Sequence, residues 1–464
     1  MTNFTSQLVD SDKRHLWHPF TQMQDWCAPD HEPLILSGGE GALLRDSNGR
    51  EYIDGNSSIW TNLHGHNHPK LNAAIRDQLD SVAHTSFLGF SNPPAIRLAE
   101  ELIKIAPRPL SRVFYSDDGS TAIEVAIKMA VQYWQLKGQP ERQRFIAFSN
   151  AYHGDTLGAA SLGGVGIFHD RFASHTFPVE RVSSIEGLEG IGQGAREAVP
   201  KSDATGGQRS ASPITHHPSL ITNPFSIAAV VIEPLIQGAA GMRLWPKGML
   251  ARLRRWCDAH GVLLILDEVM TGFGRTGTMF ACEQEGVTPD FLALAKGITG
   301  GYLPLAATLT TETIYEAFLG TYEEQKTFYY GHSYCGNQVA CAAALANLAI
   351  FREESVLEKL QPKIRLLSEL LQPIAAMRHV SEVRQCGFIA GIELMQDGKT
   401  AFDWRSQTGH RVCLAARKHG LLTRPVRDVV VLMPPYCITE AQLKQAVKAI
   451  GEGVSEICGL VEGF

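Results

Sequence analysis

Residues 262–267 read VLLILD and residues 291–296 read FLALAK, so each apolar run ends in a single charged side chain. Short runs of this kind are typical of strands that are buried on both faces of a sheet. Similar runs occur at 112–116, 144–148, 228–233 and 305–309. Segments with helical periodicity lie between several of them, at 121–137 and 248–260. We therefore predict an α/β fold with a large, mostly parallel sheet.

The two ends of the chain are expected to form a second, smaller α/β domain. Residues 40–60 contain two short strand patterns around a Ser-Asn-Gly turn, and a further strand pattern lies at 428–433. The predicted organisation is a small domain built from residues 1–70 and 341–464, and a large domain spanning residues 71–340. The stretch 196–223 is rich in Ser, Thr, Gly and Pro, which predicts a long surface loop.

Composition excludes several classes of protein. The 464 residues are 44% hydrophobic and 19% charged, and the net charge of −6 offers no basic surface for nucleic acid. The nine cysteines form no C-x-x-C pair, which favours a reducing compartment. The N-terminus lacks the pattern of a secretory signal, and no apolar stretch is long enough to cross a membrane. We expect a cytoplasmic protein with small-molecule substrates.

Lys296 is the first candidate for catalysis. It follows an apolar strand and precedes the glycine-containing turn 297–301, the place where open α/β sheets bind ligands. Apolar surroundings lower the pKa of a lysine and make its amine nucleophilic, as attachment to an aldehyde cofactor requires. Most lysines are nevertheless exposed and inert, so this position needs support from other residues.

Asp267 supplies such support. Pyridoxal phosphate acts as an electron sink when its ring nitrogen stays protonated, and a facing aspartate holds that proton. The pair Asp267-Glu268 is equally compatible with a metal site. The separation of 29 positions between Asp267 and Lys296 leaves room for one crossover between neighbouring strands.

The turn Ser116–Thr121 and the segment that follows 144–148 offer further cofactor contacts. The Gly119-Ser120 turn opens a helix, and free N–H groups at such a start suit a phosphate. We predict a capping box between Thr121 and Glu124, and an ion pair between Glu124 and Lys128. Tyr152 could stack on a planar ring.

Two other motifs suggest different chemistry. Residues 272–277, GFGRTG, match a dinucleotide fingerprint, which leaves a nicotinamide-dependent dehydrogenase as a competing hypothesis. The match is weak, because no helix with an acidic residue about 20 positions on is evident. His64, His66 and His68 are compatible with zinc, but neither helical spacing nor a cysteine pair accompanies them, so we predict no metal site.

Taken together, these residues resemble the class-III, or ω-type, aminotransferases of fold type I, which use pyridoxal 5′-phosphate. The resemblance covers nearly the whole chain and is most specific at 267–277 and 295–297. The stretches 16–23, 152–156 and 432–436 narrow it to the branch that aminates 8-amino-7-oxononanoate in biotin biosynthesis.

The resemblance implies a role for each candidate residue. Lys296 would carry the cofactor and move a proton, Asp267 would hold the ring nitrogen, and Tyr152 would stack on the ring. The implied cofactor contacts are Gly119, Ser120, Tyr152, His153, Glu233, Asp267, Lys296, His332 and Ser333. The implied substrate contacts are Phe20, Ile59, Trp60, Tyr152, Lys296, Gly331 and Arg424. The family also implies a homodimer with its active site at the interface, where the hydroxyl of Ser333 would reach the phosphate of the other subunit.

Two departures from the family pattern concern the amino donor. Phe20 stands where a Tyr is usual, and Ile59 stands where the first residue of a Trp pair is usual. A sulfonium donor such as S-adenosylmethionine gains from aromatic faces, whereas a lysine-using branch shares both departures. We take S-adenosylmethionine as the expected donor and lysine as the alternative. Other ω-aminotransferases, acting on 4-aminobutyrate or ornithine, and a non-enzymatic regulator of the same fold are competing hypotheses.

Overall fold

The computed structural model of the protein describes residues 3–190 and 226–459. The chain divides into two compact units. The smaller comprises Met1–Ala74, Gly300–Tyr302 and Glu354–Phe464, and the larger comprises Ile75–Thr299 and Leu303–Glu353. The loop predicted at 196–223 lies outside the described residues.

Strands and helices alternate along most of the described chain. The strands are β1 (Leu36–Glu40), β2 (Leu43–Asp46), β3 (Glu51–Asp54), β4 (Leu110–Ser116), β5 (Arg144–Phe148), β6 (Val179–Val182), β7 (Ile227–Ile232), β8 (Ile236–Gln237), β9 (Arg243–Leu244), β10 (Leu263–Asp267), β11 (Phe291–Leu294), β12 (Ala306–Thr311), β13 (Val380–Cys386), β14 (Ile389–Leu394), β15 (Leu421–Leu422), β16 (Pro425–Val426) and β17 (Val429–Leu432). The α-helices are α1 (Asn3–His15), α2 (Met23–Trp26), α3 (Ser57–Trp60), α4 (Pro69–Ser81), α5 (Pro93–Ile105), α6 (Gly119–Leu136), α7 (Leu157–Leu162), α8 (Gly166–His169), α9 (Ile185–Glu189), α10 (Met249–His260), α11 (Glu312–Ala317), α12 (Gln338–Glu353), α13 (Val356–Ala375), α14 (Thr408–Lys418) and α15 (Glu440–Cys458).

A seven-stranded sheet in the order β4-β12-β11-β10-β7-β5-β6 forms the centre of the larger unit. The strands β11, β10, β7, β5 and β6 pair in parallel, whereas β12 is antiparallel to both of its neighbours. The predicted mostly parallel sheet is confirmed, and each of the six predicted strands is present. The sequence did not indicate the direction of β12, and it did not reveal β6, whose residues VERV lack an apolar run.

The core of the larger unit lies where helix α6 packs on this sheet. All residues of β7, β10 and β11 are buried. The Trp134 indole N–H donates to the Ala228 carbonyl at 2.9 Å, and the Thr308 hydroxyl donates to the Ala122 carbonyl at 2.8 Å. These two bonds fix α6 across the sheet and satisfy polar groups that burial would otherwise leave unpaired.

The start of α6 differs from the prediction. The capping residue is Asp118, whose carboxylate accepts from the Thr121 N–H at 2.8 Å. The predicted box between Thr121 and Glu124 is therefore wrong. Glu124 accepts instead from the Thr156 hydroxyl at 2.6 Å and the Ala159 N–H at 3.2 Å. Lys128 lies over the Tyr330 ring, and within the described chain it forms no ion pair with Glu124.

The smaller unit is built from both ends of the chain. One sheet has the order β1-β2-β3-β15 and the other has the order β13-β14-β17-β16. Strands β2 and β3 correspond to the patterns predicted within 40–60, and β17 to the pattern predicted at 428–433. The domain boundary predicted at 340 falls inside α12, which belongs as a whole to the larger unit.

Glu268 organises the loop that follows β10. The fully buried carboxylate accepts from the Ala281 N–H at 2.7 Å, the Cys282 N–H at 2.9 Å and the Thr271 hydroxyl at 3.1 Å. Burial raises the pKa of Glu268 to about 7, and the three donors oppose that rise. The glycine-rich stretch 272–277 is thus a loop anchored on a carboxylate, and no helix follows it directly as the dinucleotide motif requires.

We expect Glu268→Ala to lower the free energy of unfolding by about 2–4 kcal/mol, because two buried N–H groups and a hydroxyl lose their acceptor. Urea unfolding of the apoprotein measures the loss. The matched control is Glu316→Ala, which removes an exposed carboxylate from α11 and should leave stability nearly unchanged. Equal effects of the two substitutions would contradict the anchoring role.

Candidate active site

Seven of the nine predicted cofactor residues lie at one edge of the sheet in the larger unit, and His332 and Ser333 are not among them. Six of the seven strands run in the same direction, since only β12 is reversed. Gly119-Ser120 follows the carboxyl end of β4, and Tyr152-His153 follows that of β5. Glu233 follows β7, and Lys296 follows β11. Asp267 is the last residue of β10. Ligands bind at this edge in open α/β sheets, because polar side chains and free backbone groups are available only where the strands end.

Asp267 is held by two contacts. His153 Nδ1 lies 2.7 Å from Asp267 Oδ2, and both side chains are buried. The Val269 N–H donates to Asp267 Oδ1 at 3.1 Å. These contacts fix the orientation of the carboxylate, as is needed to face one ring nitrogen. The metal alternative receives no support, because Glu268 is occupied by its own loop and no group of His, Cys, Asp or Glu in the described ranges can hold an ion.

A close backbone approach shapes the start of α6. A side chain at Gly119 would place a Cβ 2.7 Å from Val269 Cγ1, and one at Gly154 would collide with Ser120. Gly154 also has a φ of +123°, which favours glycine. Within residues 3–190 and 226–459, the N–H groups of Gly119 and Ser120 make no hydrogen bond. Two free donors at the positive end of an 18-residue helix suit a phosphate.

Tyr152 and Glu233 contact each other beside this turn. The Tyr152 N–H donates to Glu233 Oε1 at 3.1 Å, and the Tyr152 hydroxyl donates to Asp155 Oδ2 at 2.7 Å. The Asp155 N–H in turn donates to Ser120 Oγ at 3.2 Å. Burial raises the pKa of Tyr152, so the phenol stays protonated. The tyrosine is therefore tethered at both its backbone and its hydroxyl, which holds its ring in one place.

Glu233 is a buried carboxylate beside Asp267 and His153. Burial raises the pKa of Glu233 to about 7, His153 lowers it, and the negative charge of Asp267 raises it further. The Gly238 N–H donates to Glu233 Oε2 at 2.8 Å. The prediction that Glu233 lies near Asp267 agrees with this electrostatic coupling.

Lys296 begins a 3-10 turn just after β11 and has a φ of +46°, a conformation that non-glycine residues rarely adopt. Burial lowers the pKa of its amine, while Asp267 and Glu233 raise it and Arg275 lowers it again. Burial is the largest of these effects. A lysine in these surroundings loses its proton more easily than an exposed one, which favours nucleophilic attack on an aldehyde.

Asn347 supports the turn that carries Lys296, although the sequence analysis did not select it. The fully buried side chain of Asn347 donates to the carbonyls of Gly297 at 3.0 Å and Ile298 at 2.9 Å. A signal was present in the sequence, since Asn347 is the only amide in the apolar stretch 339–351 of helix α12. Buried polar groups of this kind satisfy specific backbone partners.

The remaining predicted residues are placed as follows. In the larger unit, His332 Nδ1 lies 3.3 Å from Asp117 Oδ2, and Gly331 and Ser333 are exposed. The predicted substrate residues Phe20, Ile59, Trp60 and Arg424 belong to the smaller unit. Phe20 and Arg424 are exposed there, and Ile59 and Trp60 lie in the short turn α3.

The residues of the larger unit fit pyridoxal phosphate group by group. The free N–H groups of Gly119 and Ser120 suit its phosphate, and the oriented carboxylate of Asp267 suits its ring nitrogen. The tethered ring of Tyr152 suits its planar face, and the amine of Lys296 suits its aldehyde. Glycine at 119 and 154 lets the start of α6 pack against Val269 and the 152–156 turn pack against Ser120, because a Cβ at either position would overlap those atoms.

Comparison with known proteins identifies the family. Residues 27–454 match the class-III aminotransferases, so this chain belongs to that family. It is 46% identical to the adenosylmethionine-8-amino-7-oxononanoate aminotransferase of Geobacter sulfurreducens, over 98% of this chain and 99% of that protein. It is 49% identical to the protein of the same name from Nitratidesulfovibrio vulgaris, over 96% of this chain and 81% of that protein.

A solved structure shows the same fold. The crystal structure of the adenosylmethionine-8-amino-7-oxononanoate aminotransferase from Methanocaldococcus jannaschii matches with a TM-score of 0.89 and 40% identity, covering 97% of this chain and 99% of that one. The predicted fold type I is thereby confirmed. The protein is a pyridoxal-phosphate-dependent aminotransferase, which decides against the dehydrogenase and the non-enzymatic regulator.

Substitution of Asp267, which His153 orients, tests the expected contact between this carboxylate and the ring nitrogen of the cofactor. We expect Asp267→Asn to keep the fold and lower kcat by about 100-fold or more, because a neutral amide does not stabilise a protonated ring nitrogen. Steady-state turnover and the absorbance spectrum of the holoenzyme measure this. Asp258→Asn, an exposed change on α10, is the charge-matched control. Unchanged turnover in Asp267→Asn would refute the assignment.

Proposed function

We propose that this enzyme transfers an amino group to 8-amino-7-oxononanoate, with S-adenosylmethionine as the donor, as a step of biotin biosynthesis. The observation that carries the proposal is the near full-length identity of 46% and 49% to two relatives named for that reaction. The N-terminal stretch 16–23 lies within the first of these matches and is part of the resemblance to that branch of the family. Solved structures of other transaminases show lower identities, for example 31% for an ω-transaminase from Thermomicrobium roseum and 30% for a transaminase from Virgibacillus.

Bound pyridoxal phosphate supplies an electron sink that stabilises negative charge at the substrate carbon. The amine of Lys296 holds the cofactor between turnovers, and Lys296 Nζ then takes the α-proton of the donor and returns a proton to the acceptor. The carboxylate of Asp267, oriented by His153, keeps the proton on the ring nitrogen. The lowered pKa of Lys296 suits it to this work, since the amine must be unprotonated to accept a proton.

Tyr152 and the Gly119-Ser120 turn position the cofactor. The phenol of Tyr152 is fixed by Asp155, so its ring offers a face at a constant place. The helix start provides donors for the phosphate that need no rearrangement, so binding energy is not spent on ordering them. We assign Glu233 to the positioning of Tyr152 through the backbone N–H of that residue.

We further propose that the enzyme is a homodimer. The segments 82–92 and 329–338 pack together, since the Thr85 N–H donates to Gln338 Oε1 at 3.1 Å and the Asn92 amide donates to the Gly336 carbonyl at 3.0 Å. These segments expose five large apolar side chains: Val82, Leu88, Phe90, Tyr329 and Tyr334. An exposed apolar patch of this kind is typical of a protein interface. Exposed Ser333 lies within the same segment, as the proposed contact with the phosphate of the other subunit requires.

We expect Leu88→Asp to weaken the dimer at least about tenfold, because a charge replaces a side chain whose burial contributes roughly 2 kcal/mol per subunit. Sedimentation velocity over a range of protein concentrations measures the shift. Trp404→Asp, at a residue that is 76% exposed in the smaller unit, is the control. A wild-type protein that sediments as a monomer at micromolar concentration would contradict the proposal.

The compartment proposed is the cytoplasm. All nine cysteines are free, including Cys27 and Cys437, which are exposed, as expected in reducing surroundings. Among the described residues no helix is both long enough and apolar enough to cross a bilayer.

Lysine is the alternative donor, and Phe20 and Ile59 are the reason. Both replace residues that would give a sulfonium group more aromatic or polar contact in the usual family pattern. The Phe20 side chain is 60% exposed and that of Ile59 is 43% exposed, so both offer apolar surface within the smaller unit. The donor reacts in the first half of the reaction, so a measurement of that half alone distinguishes S-adenosylmethionine from lysine.

A half-reaction decides it. We expect stoichiometric S-adenosylmethionine, without acceptor, to convert the bound cofactor to its amine form, with loss of the visible absorbance band. L-Lysine is tested in parallel, and Lys296→Ala is the control that should not turn over. If L-lysine converts the bound cofactor and S-adenosylmethionine does not, lysine is the donor and that part of the proposal is wrong. Conversion by S-adenosylmethionine followed by no transfer to 8-amino-7-oxononanoate would overturn the proposed acceptor.

A further inference from the structure

Residues 57–60 form a left-handed helical turn made entirely of non-glycine residues. The φ angles are +45° at Ser57, +48° at Ser58, +65° at Ile59 and +67° at Trp60. In this conformation the Cβ of an L-residue approaches the carbonyl oxygen that follows, and left-handed residues normally occur singly. Four in succession persist only where the surrounding structure holds them in place.

The buried carboxylate of Asp54 is the main restraint on the left-handed turn. Asp54 Oδ1 accepts from the Ser58 N–H at 3.0 Å, and Oδ2 accepts from the Ser58 hydroxyl at 2.9 Å. His66 Nε2 lies 3.0 Å from Asp54 Oδ2, which orients the carboxylate from the other side. The side chain of Asp54 is only 4% exposed, so these contacts are shielded from water.

Two further bonds fix the ends of the left-handed turn. The Ser57 hydroxyl donates to the Met433 carbonyl at 2.7 Å. The Trp60 indole N–H donates to Asn56 Oδ1 at 2.8 Å, and Asn56 is itself buried. The backbone and the indole are thus restrained, while the Ile59 side chain remains 43% exposed.

We propose that Asp54 is a positioning residue for substrate specificity, which acts by holding the left-handed turn so that Ile59 and Trp60 stay in their substrate-binding positions. This inference rests on the proposed function, in which those two side chains contact substrate. Strain that is held by buried polar groups around partly exposed apolar side chains is typical of a binding site. A right-handed turn of the same residues would avoid the Cβ clash but would point Ile59 and Trp60 elsewhere.

The test compares two buried aspartates of the smaller unit. Asp54→Asn replaces the carboxylate of the left-handed turn. The control Asp46→Asn alters a carboxylate that is also buried and accepts from the Asn48 N–H, the Arg50 N–H and the Tyr52 hydroxyl, but holds a turn without substrate residues. We expect Asp54→Asn to raise the KM for 8-amino-7-oxononanoate by about 10- to 100-fold, the effect of a misplaced contact. The kcat and the cofactor absorbance should change little, and Asp46→Asn should leave KM unchanged.

A rescue variant separates backbone strain from charge. Ser58→Gly in the Asp54→Asn background should reverse much of the rise in KM, because glycine adopts positive φ without a Cβ penalty. Should Asp54→Asn fail to fold, Asn56→Ala provides the same test by removing the bond to the Trp60 indole.

An equal rise in KM in Asp46→Asn, or an unchanged KM in both Asp54→Asn and Asn56→Ala, would overturn the proposal. A wild-type enzyme that uses another amino acceptor would refute the proposed function alone. The same comparison of KM values is then made with that acceptor, so the two failures are distinguishable.

Discussion

The burial of the central sheet on both faces is the constraint on which the rest of the larger unit depends. A polar side chain inside such a sheet loses its water and needs a hydrogen-bond partner, so the central strands β7, β10 and β11 carry apolar residues until they end. Strand β10 shows this directly, since four buried apolar residues precede Asp267. Because six strands run the same way, their polar ends collect at a single edge. The site is thus a consequence of strand direction, and residues from distant parts of the chain meet there.

The hydrophobic pattern of the sequence predicted the strands well, because burial on two faces leaves an unbroken apolar run. It did not predict what depends on partners distant in the chain. Strand β12 is as fully buried as β11, and its antiparallel pairing with both neighbours leaves no mark in its composition. Strand β6 carries two charged residues within VERV, and among the described strands it pairs with β5 alone. Glu124 matched a local capping pattern, but its carboxylate accepts a hydrogen bond from the hydroxyl of Thr156, which is 32 residues further along the chain.

The candidate site was predicted in a similar way. Lys296, Asp267 and the Gly119-Ser120 turn could be found, because each follows an apolar strand and has a residue type suited to the cofactor. Asn347 was missed because its partners are backbone carbonyls, which leave no trace in a motif. The left-handed turn was also invisible, since Ser-Ser-Ile-Trp has no glycine to indicate positive φ. Structural support for a site is therefore harder to predict than its reactive groups.

The division of the chain into two units has a consequence for evolution. Every proposed cofactor contact lies between Gly119 and Ser333, whereas the proposed substrate contacts Phe20, Ile59, Trp60 and Arg424 come from segments near the two ends. Replacements in those terminal segments alter neither the oriented aspartate nor the lysine. Substitutions in the smaller unit can consequently change which substrate is bound, while the residues proposed to hold the cofactor stay the same.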